Sequence, residues 1–386
     1  MLLGIDRLVA DDFRPLWRMK IGLLSTISCC DSRLVPTISL LANASKIKLT
    51  SLYAPEHGLL GALQDQVAVP SSISKSGIRV HSLYGRHRKP TVAALEDTDA
   101  IVIDLPDIGA RYYTFVWSAM LMIIQAAKNN KSVYVLDRPN PLSGSEVQGP
   151  AIDPGFESFV GLFSVPIRHG MTIGEMCSML NQIHHLGADV RVIKLQGWRR
   201  KDYHDEGSLF WNTPSPNMPN FTTALVYPGM CLLEGTNLSE GRGTTRPFET
   251  FGAPWVDPDR LKKELGKTGI AGAAFRPAYF IPTFHKYRGK LCAGLQIYVT
   301  DREKYKPVAT GLEIIRTLYR LFPENFRWRR PPYEFEKEKM PFDILIGNAW
   351  VREGIEKGSS IRNLRQRWLP ALRRFILTRK KYLTYS

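Results

Sequence analysis

DAIVIDLPDIGARYYTFVWSAMLMIIQAAKNNKSVYVLD, residues 99–137, is the stretch on which the fold turns. It holds two short runs, AIVI and SVYV, that are apolar throughout and rich in β-branched residues. Between them, residues 112–129 are apolar over a length that suits a buried helix rather than a strand. A strand with no polar face must be covered on both sides, and strand–helix–strand in this order predicts parallel neighbours in such a sheet. Reading outward, MKIGLLST, IKLTSLYA and GIRVHSLYG repeat the strand pattern, and RLVPTISLLANA, with proline in its first turn, and TVAALEDT supply helical segments. The expected fold class is therefore α/β, a Rossmann-like parallel sheet over residues 1–255. At 386 residues the chain exceeds the usual reach of one core. Beyond residue 255, GIAGAAFRPAYFIPTF and KLCAGLQIYVTD read as strands and VATGLEIIRTLYRLF as a helix, which predicts a smaller α+β domain over 256–386 that completes a cleft.

Open parallel sheets bind ligands beyond the carboxyl ends of their strands. Three segments stand there: PEHG from Pro55, DLPDIGARYYT from Asp104 and LDRPNPLSG from Leu136, each bounded by Pro or Gly and dense in charge. In the first, Glu56 and His57 are the side-chain types most used for proton transfer. No G-x-G-x-x-G and no G-x-x-x-x-G-K-[ST] occurs, so neither a dinucleotide nor ATP is expected. Residues 211–254 show no clear period and read as an irregular, ordered wall of the site that carries Glu234, Glu240, Arg242, Arg246 and Glu249. Thr172 and Glu175 form a T-x-x-E capping box, which gives that glutamate a structural role. His184 and His185 have no acid at ligand spacing, and the five cysteines show no metal spacing and an odd count, so neither a metal nor a disulfide framework is expected.

Lys and Arg outnumber Asp and Glu by 52 to 36, a net charge of +16 that would suit a polyanion. The last 26 residues hold eight of those cations and no acid. With Leu364, Trp368, Leu372 and Ile376 on one side, they read as an amphipathic helix docked on the body with a solvated basic face. No helix-turn-helix, zinc-finger or RNA-binding signature accompanies the charge, so nucleic acid is not the expected partner. The longest apolar run is too short to span a bilayer, and acids at Asp6, Asp11 and Asp12 interrupt what a signal peptide would need, which makes the chain as given cytoplasmic by sequence.

YAPEHGLLG, DLPDIGARYYTF, VLDRPNPLSG, PIRHGMTIGE, WNTPSPNMP, YPGMCLLEGTNLSEGRGTTRPFETFGAPW, FRPAYFIPTFHKYRGKLCAGLQIYVTD and RKKYLTYS resemble, in order and over nearly the whole chain, the NamZ-type exo-β-N-acetylmuramidases. The resemblance implies a glycoside hydrolase, without cofactor, that releases N-acetylmuramic acid from the non-reducing end of peptidoglycan fragments in a cleft between two domains. It also makes export possible. The expected partner is then a muramyl glycan. Glycoside hydrolysis takes two carboxyl groups. Glu56 is the candidate acid. Glu240 leads as its partner, with Asp107 and Asp137 behind it. His57 is expected to hydrogen-bond within the site. Arg111, Arg242 and Arg246 are candidates for the lactyl carboxylate, Tyr112, Tyr113 and Trp211 for stacking, and Asn140 and Asn217 for acetamido or hydroxyl groups. Relatives usually read Val-Glu-Gly-Pro where this chain has Val147, Gln148, Gly149 and Pro150. A catalytic role for that acid would leave this chain impaired, and a non-catalytic sugar-binding protein on the same scaffold is the competing reading.

Overall fold

The computed structural model describes residues 1–74 and 77–386. Its main sheet contains β1 (Lys20–Leu24), β2 (Lys48–Ala54), β3 (Ser72–Ile73), β4 (Arg79–Ser82), β5 (Ala100–Ile103), β6 (Ser132–Leu136) and β7 (Val190–Ile193), in the order β3-β4-β2-β1-β5-β6-β7. All neighbours are parallel except the short β3, which pairs antiparallel with β4. The central strands are buried on both faces: Ile101, Ile103, Val133 and Val135 enter one hydrophobic cluster, while Ala100, Val102, Tyr134 and Leu136 enter the other. This alternation is the period of two that a pleated strand imposes. The helix Phe115–Lys128 joins β5 to β6, and ten of its fourteen residues are buried, which is why its sequence shows little polar stripe.

Because β1 lies between β2 and β5, the chain winds outward in both directions from it, and the order reverses at the β1–β5 gap. The loops after β1, β2, β5 and β6 all leave from the same edge. Pro55–Gly58, Asp104 onward and Asp137 onward are thus neighbours in space, as the topology argument requires.

The second sheet is antiparallel, with β8 (Thr250–Ala253), β9 (Ala273–Phe280) and β10 (Cys292–Val299) in the order β8-β10-β9. Its first strand lies ahead of residue 256. Residues 211–254 are less irregular than expected. Asn220 caps a helix, Phe221–Met230, by accepting from the Thr223 amide, and a 3-10 turn, Cys231–Gly235, continues it. Eight of that helix's ten residues are buried and Pro228 sits inside it, so neither an amphipathic stripe nor an unbroken run announces it.

The capping box is formed: the Thr172 hydroxyl accepts from the Glu175 amide, and the Glu175 carboxylate from the Thr172 amide. The basic C-terminal helix spans Ile361–Arg379 and buries Leu364, Trp368 and Leu372. Its last turn points in through Phe375, whereas Ile376 is 40% exposed. All five cysteines are free and buried.

Candidate active site

β2 ends at Ala54, and the chain turns sharply through His57 and Gly58, at φ values of 69° and 78°. The turn lays Glu56 against the start of the helix Phe115–Lys128. There Glu56 Oε2 accepts from the Thr114 hydroxyl at 2.6 Å, and Oε1 from the Gln66 amide at 3.3 Å. His57 Nδ1 lies 2.8 Å from the Leu63 carbonyl. A carbonyl can only accept, so Nδ1 carries a proton and donates it.

The facing wall comes from the C-terminal half. Glu234, in the 3-10 turn, and Arg242, Tyr333 and Glu334 line the same cavity as Glu56, His57, Tyr112, Tyr113 and Asn217. Glu334 is buried with its backbone in the left-handed region, at φ 46°, and its Oε2 accepts from the Tyr84 hydroxyl at 3.1 Å. Burial, and then the charges of Glu56 and Glu234, push the Glu334 carboxyl well above the usual carboxylate range and so favour its protonated form.

The remaining acids are neutralised by cations. Arg242 pairs with Asp65 at 2.9 Å, Glu234 at 2.7 Å and Glu240 at 3.5 Å. Tyr333 donates to Glu234 at 2.6 Å. Burial opposes the charge on Asp65, but Arg242 and His285 outweigh it and hold the carboxyl below its ordinary range. Glu240 is likewise held down against burial by Lys286, 2.9 Å away, and by Arg242. It faces an outer pocket with His285, Lys286 and Arg329 rather than the Glu56 cavity.

Several expected site residues are placed elsewhere. Arg111 is fully buried and donates to the carbonyls of Pro150, Val165 and Leu345 at 2.7–2.8 Å, so its guanidinium is consumed in clamping three segments. Asp137 is fully buried and accepts from Gly174 N, Thr172 and Tyr385, capping the next helix. Asn140 donates to Met171 O and accepts from Leu142 N within the loop after β6. Arg246 is largely exposed and pairs with Glu249 at 3.0 Å. Asp107 and Trp211 line a separate cavity over β1, β5 and β6. Tyr112 donates to Pro228 O, and Asn217 to Gln64 at 2.6 Å, both at the Glu56 cavity. Gln148 donates to Glu146 at 3.2 Å and does not line the Glu56 cavity, so the Glu-to-Gln departure removes no carboxylate from it.

Glu334, Tyr84 and Thr114 are the residues that sequence reasoning missed. Glu334 sits in PPYEFEKEK, which reads as solvated charge, and only its burial distinguishes it. Thr114 had a usable signal, being a hydroxyl residue just ahead of a long apolar run. Among the described residues, no group of three or more His, Cys, Asp or Glu side chains is arranged to hold a metal ion.

A doubly wound sheet whose strand-end loops face a 3-10 turn and loops of the C-terminal half across a cavity with several buried carboxyls defines a two-domain α/β protein built for a polar organic ligand. The chain belongs to the exo-β-N-acetylmuramidase NamZ family: residues 21–222 match its N-terminal domain and residues 225–385 its C-terminal domain. It is 42% identical to the peptidoglycan β-N-acetylmuramidase NamZ of Bacillus subtilis over 99% of this chain and 91% of that one. Crystal structures of two DUF1343 family proteins from Bacteroides fragilis superpose with TM-scores of 0.90 and 0.74, at 30% and 26% identity, each over all of this chain and 99% of theirs.

Proposed function

We propose that this protein is an exo-β-N-acetylmuramidase that removes N-acetylmuramic acid from the non-reducing end of peptidoglycan fragments, with Glu56 and Glu334 as its carboxyl pair. One observation carries the assignment: Glu56 and Glu334 are buried carboxyls on facing walls of one cavity, and burial together with the charges of Glu56 and Glu234 raises the Glu334 carboxyl, as an acid catalyst requires. Glu334 holds a proton that it can give to the leaving glycosidic oxygen. Glu56, with both oxygens accepting from Thr114 and Gln66, is held in place to face the sugar. This exchanges the acid role expected of Glu56 for that of nucleophile or base, and Glu240, neutralised by Lys286, is left in support of Arg242.

With Glu56 taken as the nucleophile, the reaction retains configuration. The deciding experiment follows hydrolysis of a chromogenic β-muramide by proton NMR. The parent is expected to release the β-anomer first, and Glu56→Gln to lose at least about a hundredfold in kcat. Initial release of the α-anomer overturns the pairing, and near-parental activity of Glu56→Gln removes Glu56 from the chemistry.

The lactyl carboxylate is read at the outer pocket. There the Arg329 guanidinium stacks on Tyr333 and makes one long contact, 3.5 Å, with Gln66, which leaves donors free. Arg329→Ala is expected to lower the preference for muramic over glucosamine substrates about tenfold, the worth of a charge-assisted hydrogen bond. An unchanged preference would exclude Arg329.

A further inference from the structure

The turn that carries Glu334 is built in a backbone that its residues disfavour. Tyr333 and Glu336 close it, each amide donating to the other's carbonyl, at 2.9 and 2.8 Å. The two residues between them, Glu334 and Phe335, both stand in the left-handed region, at φ 46° and 68°. A two-residue hairpin turn of this kind is normally made by Asn-Gly, because a Cβ is costly at both positions. Such strain persists only where the surroundings over-determine the conformation. The ends of the turn are held within the C-terminal half: the Tyr333 hydroxyl donates to Glu234 at 2.6 Å, and the Glu336 carboxylate accepts from the amides of Lys337, Glu338 and Lys339. Its tip is held by the Phe335 ring. That ring meets Tyr84 and Phe159 edge-on, at centroid distances of 5.4 and 5.9 Å, and lies under the Arg88 guanidinium at 4.9 Å. All three partners come from the N-terminal half.

Phe335 does not line the Glu56 cavity and is 44% exposed, so neither the chemistry nor burial accounts for an aromatic ring on a backbone that favours glycine. What the ring shares with its neighbour is a partner: Tyr84 packs against Phe335 and gives its hydroxyl to Glu334 Oε2. We propose that Phe335 is a positioning residue, which fixes the strained turn to the N-terminal wall and so keeps the Glu334 carboxyl inside the cavity, facing Glu56. Without the ring, the tip of the turn loses its three partners in the N-terminal half and the carboxyl can swing out to water. Burial is the largest cause of the raised Glu334 carboxyl, ahead of the facing charges of Glu56, Glu234 and Asp65, while the hydrogen bond from Tyr84 works the other way. A carboxyl released to water therefore returns toward the ordinary glutamate range. The inference rests on the reading of Glu334 as the acid.

The test uses two variants. Phe335→Gly removes the ring and suits the left-handed backbone, whereas Phe335→Tyr keeps the ring. With an aryl β-muramide, Phe335→Gly is expected to lose at least about tenfold in kcat with little change in KM, and to move the alkaline limb of its rate profile to lower pH. Phe335→Tyr is expected to restore both. An alkaline limb that stays in place in Phe335→Gly overturns the proposal, as does a Phe335→Tyr variant as impaired as Phe335→Gly. Parental activity of Glu334→Gln is instead the failure of the acid reading. The positioning is then judged on the carboxyl itself, by following the Glu334 side-chain carbon resonance, assigned by its loss in Glu334→Gln, through a pH titration. A midpoint that falls in Phe335→Gly and is kept in Phe335→Tyr supports the proposal, and one that is the same in Phe335→Gly as in the parent refutes it.

Discussion

Glu334 illustrates how surroundings set which form of a side chain is favoured. An exposed glutamate at its position would be ionised at neutral pH, but burial and the nearby charges of Glu56 and Glu234 favour the neutral acid. The protonated form is the active one in the proposed mechanism, so activity should fall as pH rises through the elevated Glu334 pKa. Glu334→Gln cannot give up a proton, and is expected to lose about two orders of magnitude in kcat and, with them, the alkaline limb of the rate profile. An alkaline limb that persists unchanged in Glu334→Gln would assign it to another group. Asp137 shows the same physics acting on stability. Burial raises its carboxyl to about 6, against the lowering effect of its hydrogen bonds from Tyr385, Gly174 and Thr172. The native state then binds more protons than the unfolded chain between about pH 4 and 6, and the stabilising contribution, present at low pH, is lost as pH rises through 6. The shift corresponds to roughly 3 kcal/mol. Asp137→Asn should flatten this part of the melting-temperature profile, measured by calorimetry from pH 4 to 7. Glu56 could be read from the sequence because a strand end and a Pro/Gly-bounded turn point to it. Glu334 could not, because its properties come from residues far along the chain.

Among the elements, what sequence reveals depends on how each is buried. The parallel strands announce themselves because their apolar runs are short and cleanly bounded, and the Thr172–Glu175 box is local chemistry three residues apart. The helix Phe221–Met230 is hidden because it is buried nearly all round and contains Pro228. Its partner is the helix Pro307–Leu321, and the two touch backbone to backbone. A Cβ on Gly229 would lie 1.9 Å from Pro307 O, and one on Gly311 would lie 2.2 Å from Gly229 O. Gly→Ala inside a helix normally gains about 1 kcal/mol in propensity. Here no rotamer relieves a clash with a carbonyl, so Gly311→Ala is expected instead to destabilise the protein by about 2 kcal/mol or more in urea unfolding. The displacement should also lower activity, because Glu234 lies in the turn that continues the helix Phe221–Met230. A Gly311→Ala variant as stable as the parent would show that the two helices separate freely.

For the whole molecule, composition indicates size and charge but not how the halves are joined. The net charge of +16 is concentrated at the C-terminus, yet the helix Ile361–Arg379 is anchored by more than its apolar side. Arg379 is buried and donates to Gly144 O, His169 O and Gly170 O, and burial lowers its pKa to about 10. The tail beyond it returns to the N-terminal half, where Thr384 N donates to Glu175 of the helix Ile173–Ile183 and Arg200 N to Ser386 O, each at 2.7 Å. One hydrophobic cluster runs from Ile101 and Val133 of the main sheet to Leu295 of the second sheet and Leu345 near the C-terminus. Arg111, read from sequence as a ligand for the lactyl group, ties the loop after β5 to Leu345 O. Domains joined by a flexible linker unfold separately, whereas halves that share a core and buried hydrogen bonds lose one another's support when either opens. Calorimetry should therefore give a single transition whose calorimetric and van't Hoff enthalpies agree. Two resolved transitions would mean that the shared cluster contributes less than each half's own core, and that the carboxyls of Glu56 and Glu334 are held together only by weak docking.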